Sequence, residues 1–226
     1  MSEGVNTPRA RAIKSDQPMK LKMPPSARRS PEASSGRKSS DERWPEILQI
    51  SARMFSERGY SATSLQAIAD ELGMLKGSLY YYIRSKDDLL YEVIRTVYWE
   101  GVANFHRMSS GDGTAAERLA NAIEGHVKHL TNNIIETTVF LHEFDRLPEA
   151  RRVELSTISY DDLVRELILD GQRDGSFKAD MDPSLVSMAI LGATNWVYRW
   201  YHEDGPRNAD EIGRLFADLF VSGLST

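Results

Sequence analysis

Gly73-Met-Leu-Lys-Gly-Ser-Leu-Tyr-Tyr-Tyr-Ile-Arg-Ser-Lys86 decides the fold: it is a short run rich in aromatic and hydroxyl groups, set between a helix-ending glycine and a helix-capping serine. Leu79 and Ile83 lie four apart, so on a helix they share one face and turn inward, which directs Lys76, Ser78, Tyr80 and Tyr81 elsewhere. The spacing predicts a helix over 76–83. So many outward donors beside a basic residue suit a surface that meets phosphates and base edges.

The residues just upstream complete a unit. Ser39-Ser-Asp-Glu42 is a capping-box pattern opening a helix whose apolar face is Trp44, Ile47, Leu48, Ala52 and Phe55. Pro45 is tolerable in a first turn, and Gly59 ends the helix. Thr63-Ser-Leu-Gln66 is a second capping box, followed by Leu65, Ile68, Ala69 and Leu72 inward and Gly73 at the end. Helix, tight glycine turn and short helix form the helix-turn-helix layout, whose second helix enters the major groove.

Downstream, Ser85-Lys-Asp-Asp88 caps a long helix through Leu89, Leu90, Val93, Ile94, Val97 and Phe105, stopped at Ser109-Ser-Gly-Asp-Gly113. Thr114-Ala-Ala-Glu117 caps the next. One helix is expected over about 133–147 and another through Leu155, Leu163, Leu167 and Ile168. Asp182-Pro183 pairs an N-cap with a proline at the first helical position and opens a helix to about His202. Asn208-Ala-Asp-Glu211 caps the last, whose face is Ile212, Leu215, Phe216, Leu219 and Phe220. No period-two strand appears, so the expected fold is all-α with about nine helices: residues 40–86 as a three-helix DNA-binding head, and 87–226 as a larger helical domain.

Composition agrees. The 226 residues are 41% hydrophobic and 27% charged, enough for a real core. No apolar run approaches a membrane span or a signal peptide, and the absence of cysteine removes disulfides, thiolate metal sites and cysteine nucleophiles. The expectation is a cytoplasmic protein. The net charge of −5 hides a gradient: residues 1–43 carry ten Lys/Arg against five Asp/Glu, residues 44–86 five against four, and residues 87–226 thirteen against twenty-four. A basic front on an acidic body orients the molecule towards a polyanion. Residues 1–39, with five prolines and many Ser, Arg and Lys, are expected to be a disordered basic arm.

The run Ile47-Leu48, Ala52, Phe55, Gly59-Tyr60, Thr63-Ser64, Ile68-Ala69, Gly73, Lys76-Gly-Ser-Leu-Tyr and Ser85-Lys86 resembles the TetR-type transcriptional repressors. Phe177, Asp180, Asp182 and Trp196-Val-Tyr-Arg-Trp-Tyr201 look like a narrower branch that regulates steroid-ring and fatty-acid catabolism and senses acyl-CoA esters. The resemblance implies a homodimer through the last two helices, a near-palindromic double-stranded operator, and a small-molecule effector that alters the separation of the two heads. It implies phosphate contacts from Thr63 and Ser64, base-reading positions at Lys76, Ser78, Tyr80 and Tyr81, and a further phosphate contact at Lys86. Leu75 departs from it, standing where the family commonly carries a Ser or Thr cap; Leu cannot cap, so it either touches a thymine methyl or packs on the first helix. Tyr82 either joins the reading face or wedges against the fourth helix.

For the effector, Trp99, Phe105, Phe140, Phe144, Trp196 and Trp200, with Gly192 one turn before Trp196, either line an aromatic pocket or serve as core and dimer-bundle aromatics. Arg146, with Arg151 and Arg152, either binds a phosphate-bearing ligand such as coenzyme A or forms a solvated basic turn. His126, His129, Glu136, His142 and Glu143 lack a third ligand at fixed spacing, so no metal and no cofactor are expected. With no Gly-x-Ser-x-Gly elbow and no phosphate-cradling glycine loop, an enzyme is not expected. The rival reading is an all-α small-molecule-binding or catalytic protein that keeps a vestigial head.

Overall fold

The computed structural model describes residues 40–226, with side chains from Arg43 onward; the arm of residues 1–39 and the cap at Ser39–Glu42 lie outside it. Ten α-helices occur among the described residues: α1 (Ser40–Arg58), α2 (Leu65–Glu71), α3 (Lys76–Leu79), α4 (Lys86–Ser109), α5 (Ala115–Asn132), α6 (Ile134–Glu143), α7 (Glu149–Leu155), α8 (Tyr160–Asp174), α9 (Pro183–Asn195) and α10 (Ala209–Leu224). The expected span through Leu155 and Ile168 is two helices, because the Ser159 hydroxyl accepts from the Asp162 N–H at 3.1 Å and restarts the chain as α8. Two helices close in 3-10 turns, Phe144–Arg146 after α6 and Trp196–Arg199 after α9. Sheet structure among the described residues is limited to one isolated antiparallel bridge, Phe177 with Ser225.

Caps position these elements. Thr114 with Glu117 and Asn208 with Glu211 form complete capping boxes, and Asp182 accepts from the Ser184 and Leu185 N–H groups. In α1, Pro45 lies past the first turn, so its missing N–H removes a rung from the ladder there. The head's turn is a Schellman motif: Gly73 takes φ +60°, its N–H donates to Asp70 O at 3.0 Å and the Met74 N–H donates to Ala69 O at 2.9 Å. A side chain at Gly73 would be strained, which is why glycine makes this turn.

Two large apolar clusters, with a small third one of Val127, Val197 and Ile212, hold the described residues together. One runs without interruption from Trp44, Ile47 and Phe55 of α1, through Ile68, Leu79 and Ile83, into Leu89, Ile94 and Tyr98 of α4 and Val139, Leu147 and Leu155 beyond. The other joins Phe105, Leu119, Ile123, Val164, Ile168, Phe177, Ile190 and Ala217 around α5. The chain end is tied down as well: the Lys178 N–H donates to Leu224 O at 2.8 Å beside the bridge that encloses the buried Phe177. No described helix is long and apolar enough to cross a membrane.

Candidate nucleic-acid interface and sensor core

The Gly73–Lys86 stretch holds one turn of helix, Lys76–Leu79, and not the 76–83 helix expected. After Leu79 the chain continues as tight turns, with the Tyr81 N–H on Ser78 O at 3.3 Å and the Tyr82 N–H on Leu79 O at 3.0 Å. The faces nevertheless separate as the spacing predicts. Leu79 is fully buried and Ile83 nearly so, while Lys76 and Gly77 are exposed, Ser78 is half-buried, and Tyr80 and Tyr81 stand out at 42% and 63% exposure. Burying a leucine such as Leu79 is worth about 1.5–3 kcal/mol, so the inward pair anchors the outward group. Tyr82 belongs to the packing: its ring stacks on Trp44 at 6.1 Å and 9°.

Several expected contacts need correction. Thr63 is buried; its hydroxyl faces Gly59 O at 2.9 Å and Met54 O at 3.1 Å, and its N–H donates to Tyr60 O, so it braces the end of α1 and has nothing left for a phosphate. Ser64 is the actual N-cap of α2, accepting from the Ala67 N–H at 3.1 Å, and as an exposed hydroxyl it keeps its own proton to donate outward. Lys86 is also an internal strut. Its ammonium donates to Tyr60 O and Thr63 O, both at 2.8 Å, and lies 4.2 Å from the Tyr60 ring centre. The exposed cation of this corner is Arg84, which pattern matching passed over because a lone arginine after an apolar residue has no signature. Leu75 does not pack on α1: it is 78% exposed at the N-cap position of α3 and makes no capping bond.

A polar line runs from this corner into the body. Arg151 of α7 pairs with the buried Asp88 and donates to Asp87 O at 3.0 Å, with its guanidinium 4.5 Å from the Tyr91 ring centre. Asp88 in turn accepts the Arg84 N–H at 3.2 Å, and Asp87 accepts from the Tyr60 hydroxyl. Burial, then that bond to Asp87, raises the Tyr60 phenol, so it stays a proton donor. One cation on α7 therefore touches both the start of α4 and, through one carboxylate, the end of the reading turn.

The effector candidates divide into two places. Trp99 and Phe105 are buried, and Phe140 and Phe144 are half-buried, around a column of rings: Phe144 to Phe140 at 5.4 Å, Phe140 to Tyr98 at 5.5 Å, Tyr98 to Tyr160 at 5.8 Å, and Tyr160 to His126 at 4.8 Å. Tyr160, at the centre, escaped the sequence reading because it is the first residue of α8 and belongs to no stripe. Gly101 is the reason it fits. A Cβ there would stand 1.8 Å from the Tyr160 hydroxyl and 2.8 Å from His129 Nε2. Burial pushes the Tyr98 phenol up to about 12 and the His126 imidazole down to about 4, so both are neutral near pH 7. His126 Nε2 is 3.0 Å from Asn195 Oδ1, which leaves Nδ1, like the indole N–H of Trp99, with no partner among the described residues.

Gly192, Trp196 and Trp200 do not join that column. They stand on the outside of α9 and its 3-10 turn, Trp196 at 58% exposure, in line with the exposed Leu185 and Met188; Leu215 and Leu219 are exposed on α10. These side chains repeat one turn apart on the side away from α5, so they are surface and not pocket. The basic cluster is likewise internally neutralised: Arg146 pairs with Glu143, Arg151 with Asp88, and Arg152 lies 3.7 Å from Asp145. The histidines are used in hydrogen bonding, His129 Nε2 to Val97 O at 3.1 Å and His142 Nε2 to the Tyr198 hydroxyl at 2.9 Å.

A helix-turn-helix head with an outward tyrosine-rich turn, fused to a helical body with an aromatic core, defines a DNA-binding regulator of the one-component kind. Residues 47–93 match the bacterial regulatory proteins of the tetR family, and residues 112–224 match the tetracyclin repressor-like C-terminal domain. The chain belongs to the TetR family. It is 29% identical over 184 residues to the HTH-type transcriptional repressor KstR2 of Mycolicibacterium smegmatis, covering 80% of this chain and 89% of that one. Among solved structures, the ketosteroid transcriptional regulator KstR2 of Mycobacterium tuberculosis superposes with TM-score 0.76 at 26% identity, covering 84% and 98% of the two chains. AibR in complex with isovaleryl coenzyme A and operator DNA gives TM-score 0.70 at 26% identity, covering 81% and 98%.

Proposed function

We propose that this chain is a homodimeric transcriptional repressor whose heads bind a near-palindromic operator and are released by a small apolar or acyl-thioester effector. The observation that carries it is the division of the Gly73–Lys86 stretch, with Leu79 and Ile83 buried and Lys76, Tyr80 and Tyr81 exposed beside an exposed Arg84. Residues 40–86 act as the head and 87–226 as the effector-binding and dimerisation domain. Lys76, Ser78, Tyr80 and Tyr81 face base edges, and Ser64 and Arg84 face phosphates. One short turn reads too few bases for specificity, so a second copy is required; the apolar surface on α9 and α10, including Trp196, Trp200, Leu215 and Leu219, is what joins the copies.

The effector enters the aromatic column, where Trp99, Phe105, Phe140 and Phe144 surround Tyr98 and Tyr160, and its binding shifts α6 and α7 against the start of α4. The acyl-thioester class is supported by the names of two relatives, the AibR complex with isovaleryl coenzyme A and the fatty acid metabolism regulator protein of Bacillus subtilis. The repressor requires only about 1–3 kcal/mol of coupling between effector and operator. The protein works in the cytoplasm and catalyses no reaction. A gel shift with the DNA upstream of its own gene tests this: a salt-sensitive, sequence-preferring shift that acyl-CoA esters reverse is expected, and no such shift refutes it.

A further inference from the structure

Leu75 is an apolar side chain, 78% exposed, beside the exposed Lys76, and it joins neither apolar cluster of the described residues. Its backbone is extended, φ −69° and ψ 140°, at the N-cap position of α3; its carbonyl accepts the Ser78 N–H at 2.8 Å, but its side chain cannot cap. Exposed Lys76 and Gly77 follow it, and a Cβ at Gly77 would meet nothing within 4 Å, so the first turn is open to close approach by a large flat partner. It lies on the head, and so apart from the exposed apolar residues of α9 and α10. An exposed leucine here satisfies neither folding nor capping.

In the major groove the base edges present donors and acceptors, with a single apolar group among them, the C5-methyl of thymine. Resting on the DNA-binding reading above, we propose that Leu75 is a specificity-determining residue that packs on a thymine methyl and so fixes one A·T pair in each half-site. Where a Ser or Thr cap would spend this position on the helix end, Leu75 spends it on the operator.

The test uses the full-length protein and an operator duplex that it selects from a random-sequence library. Each thymine is then replaced in turn by deoxyuridine, which removes the methyl and leaves pairing intact. Substitution at one symmetric pair of positions is expected to weaken binding roughly fifteenfold, about fourfold for each of the two methyls lost. Leu75→Ala should lose a similar factor on the thymine operator and nothing further on the deoxyuridine one, with an unchanged melting temperature because the side chain is exposed. Leu75→Ser should still bind, since Ser caps α3, but with no thymine preference at that position. If the wild type selects a sequence yet tolerates every deoxyuridine, or if Leu75→Ala loses equally on both duplexes, the thymine contact is wrong and DNA binding stands. If the wild type selects no sequence at all, both fall.

Discussion

Replacing Gly101 by Ala should destabilise this protein, although the usual effect in a helix interior has the opposite sign. Gly101 lies inside α4, where Ala is ordinarily better by about 1 kcal/mol. Here the new methyl would stand 1.8 Å from the Tyr160 hydroxyl and 2.8 Å from His129 Nε2. Tyr160 cannot swing clear, because its ring is held edge-on by Tyr98 and Phe105 at 5.8 Å and tilted on His126 at 4.8 Å. Overpacking of this kind costs about 1–3 kcal/mol, and more where the core cannot give, so a net loss of roughly 1–2 kcal/mol is expected after the helix gain. For a chain of this size that lowers the melting temperature by about 2–8 °C. Thermal melts at one fixed protein concentration measure it, since dimerisation makes the midpoint concentration-dependent. Tyr160→Phe removes the clashing oxygen, so the double variant Gly101→Ala with Tyr160→Phe should recover at least half of the loss. A Gly101→Ala melting temperature equal to or above the wild type would refute the packing of Tyr160 over α4, and with it the aromatic column.

Four further outcomes are expected. Lys86→Ala should weaken operator binding without changing the slope of log K against log salt, because its ammonium holds Tyr60 O and Thr63 O, whereas Arg84→Ala should reduce that slope by about one phosphate; fluorescence anisotropy over a salt series separates them. Leu219→Glu should leave helicity intact and convert the dimer to monomer in sedimentation, since that side chain is exposed in one subunit. Arg151→Ala should preserve operator binding while raising the effector concentration needed for release, with Arg151→Lys intermediate, because Arg151 links α7 to Asp88. For His126, the unfolded chain takes up a proton below pH 6.5 that the folded chain refuses until about 4, so stability falls as pH falls through that window. Between pH 7 and 5 the wild type should lose on the order of 2 kcal/mol more than His126→Gln in urea unfolding.

The helices were legible because periodicity and caps are local. Leu79 with Ile83, Thr114 with Glu117 and Asn208 with Glu211 declare themselves within four residues, and the family pattern of residues 47–86 rests on the same short-range chemistry. The failures are tertiary. Nothing in the neighbourhood of Thr63 or Lys86 says that the hydroxyl will face the end of α1 and the ammonium the turn that follows it. Trp196 and Trp200 carry the same helical spacing whether they face a pocket or a partner; only the side on which α5 packs decides between the two. Tyr160 and Arg151 act across more than fifty residues of chain, on Tyr98 and on Asp88, and no window along the sequence contains both ends of either contact.

The uninterrupted core from Trp44 to Leu155 bears on how such regulators are rewired. Because α1 shares buried side chains with α4 and the helices beyond it, a head transplanted onto a different body arrives with Trp44, Ile47 and Leu48 matched to the wrong neighbours. A chimera that keeps the reading turn but ignores this seam should bind DNA and respond to nothing, or melt early. The part that travels freely is smaller than a domain: the outward positions Leu75, Lys76, Ser78, Tyr80 and Tyr81, exchanged in place, would re-address the operator while the effector's grip on the head stays whole.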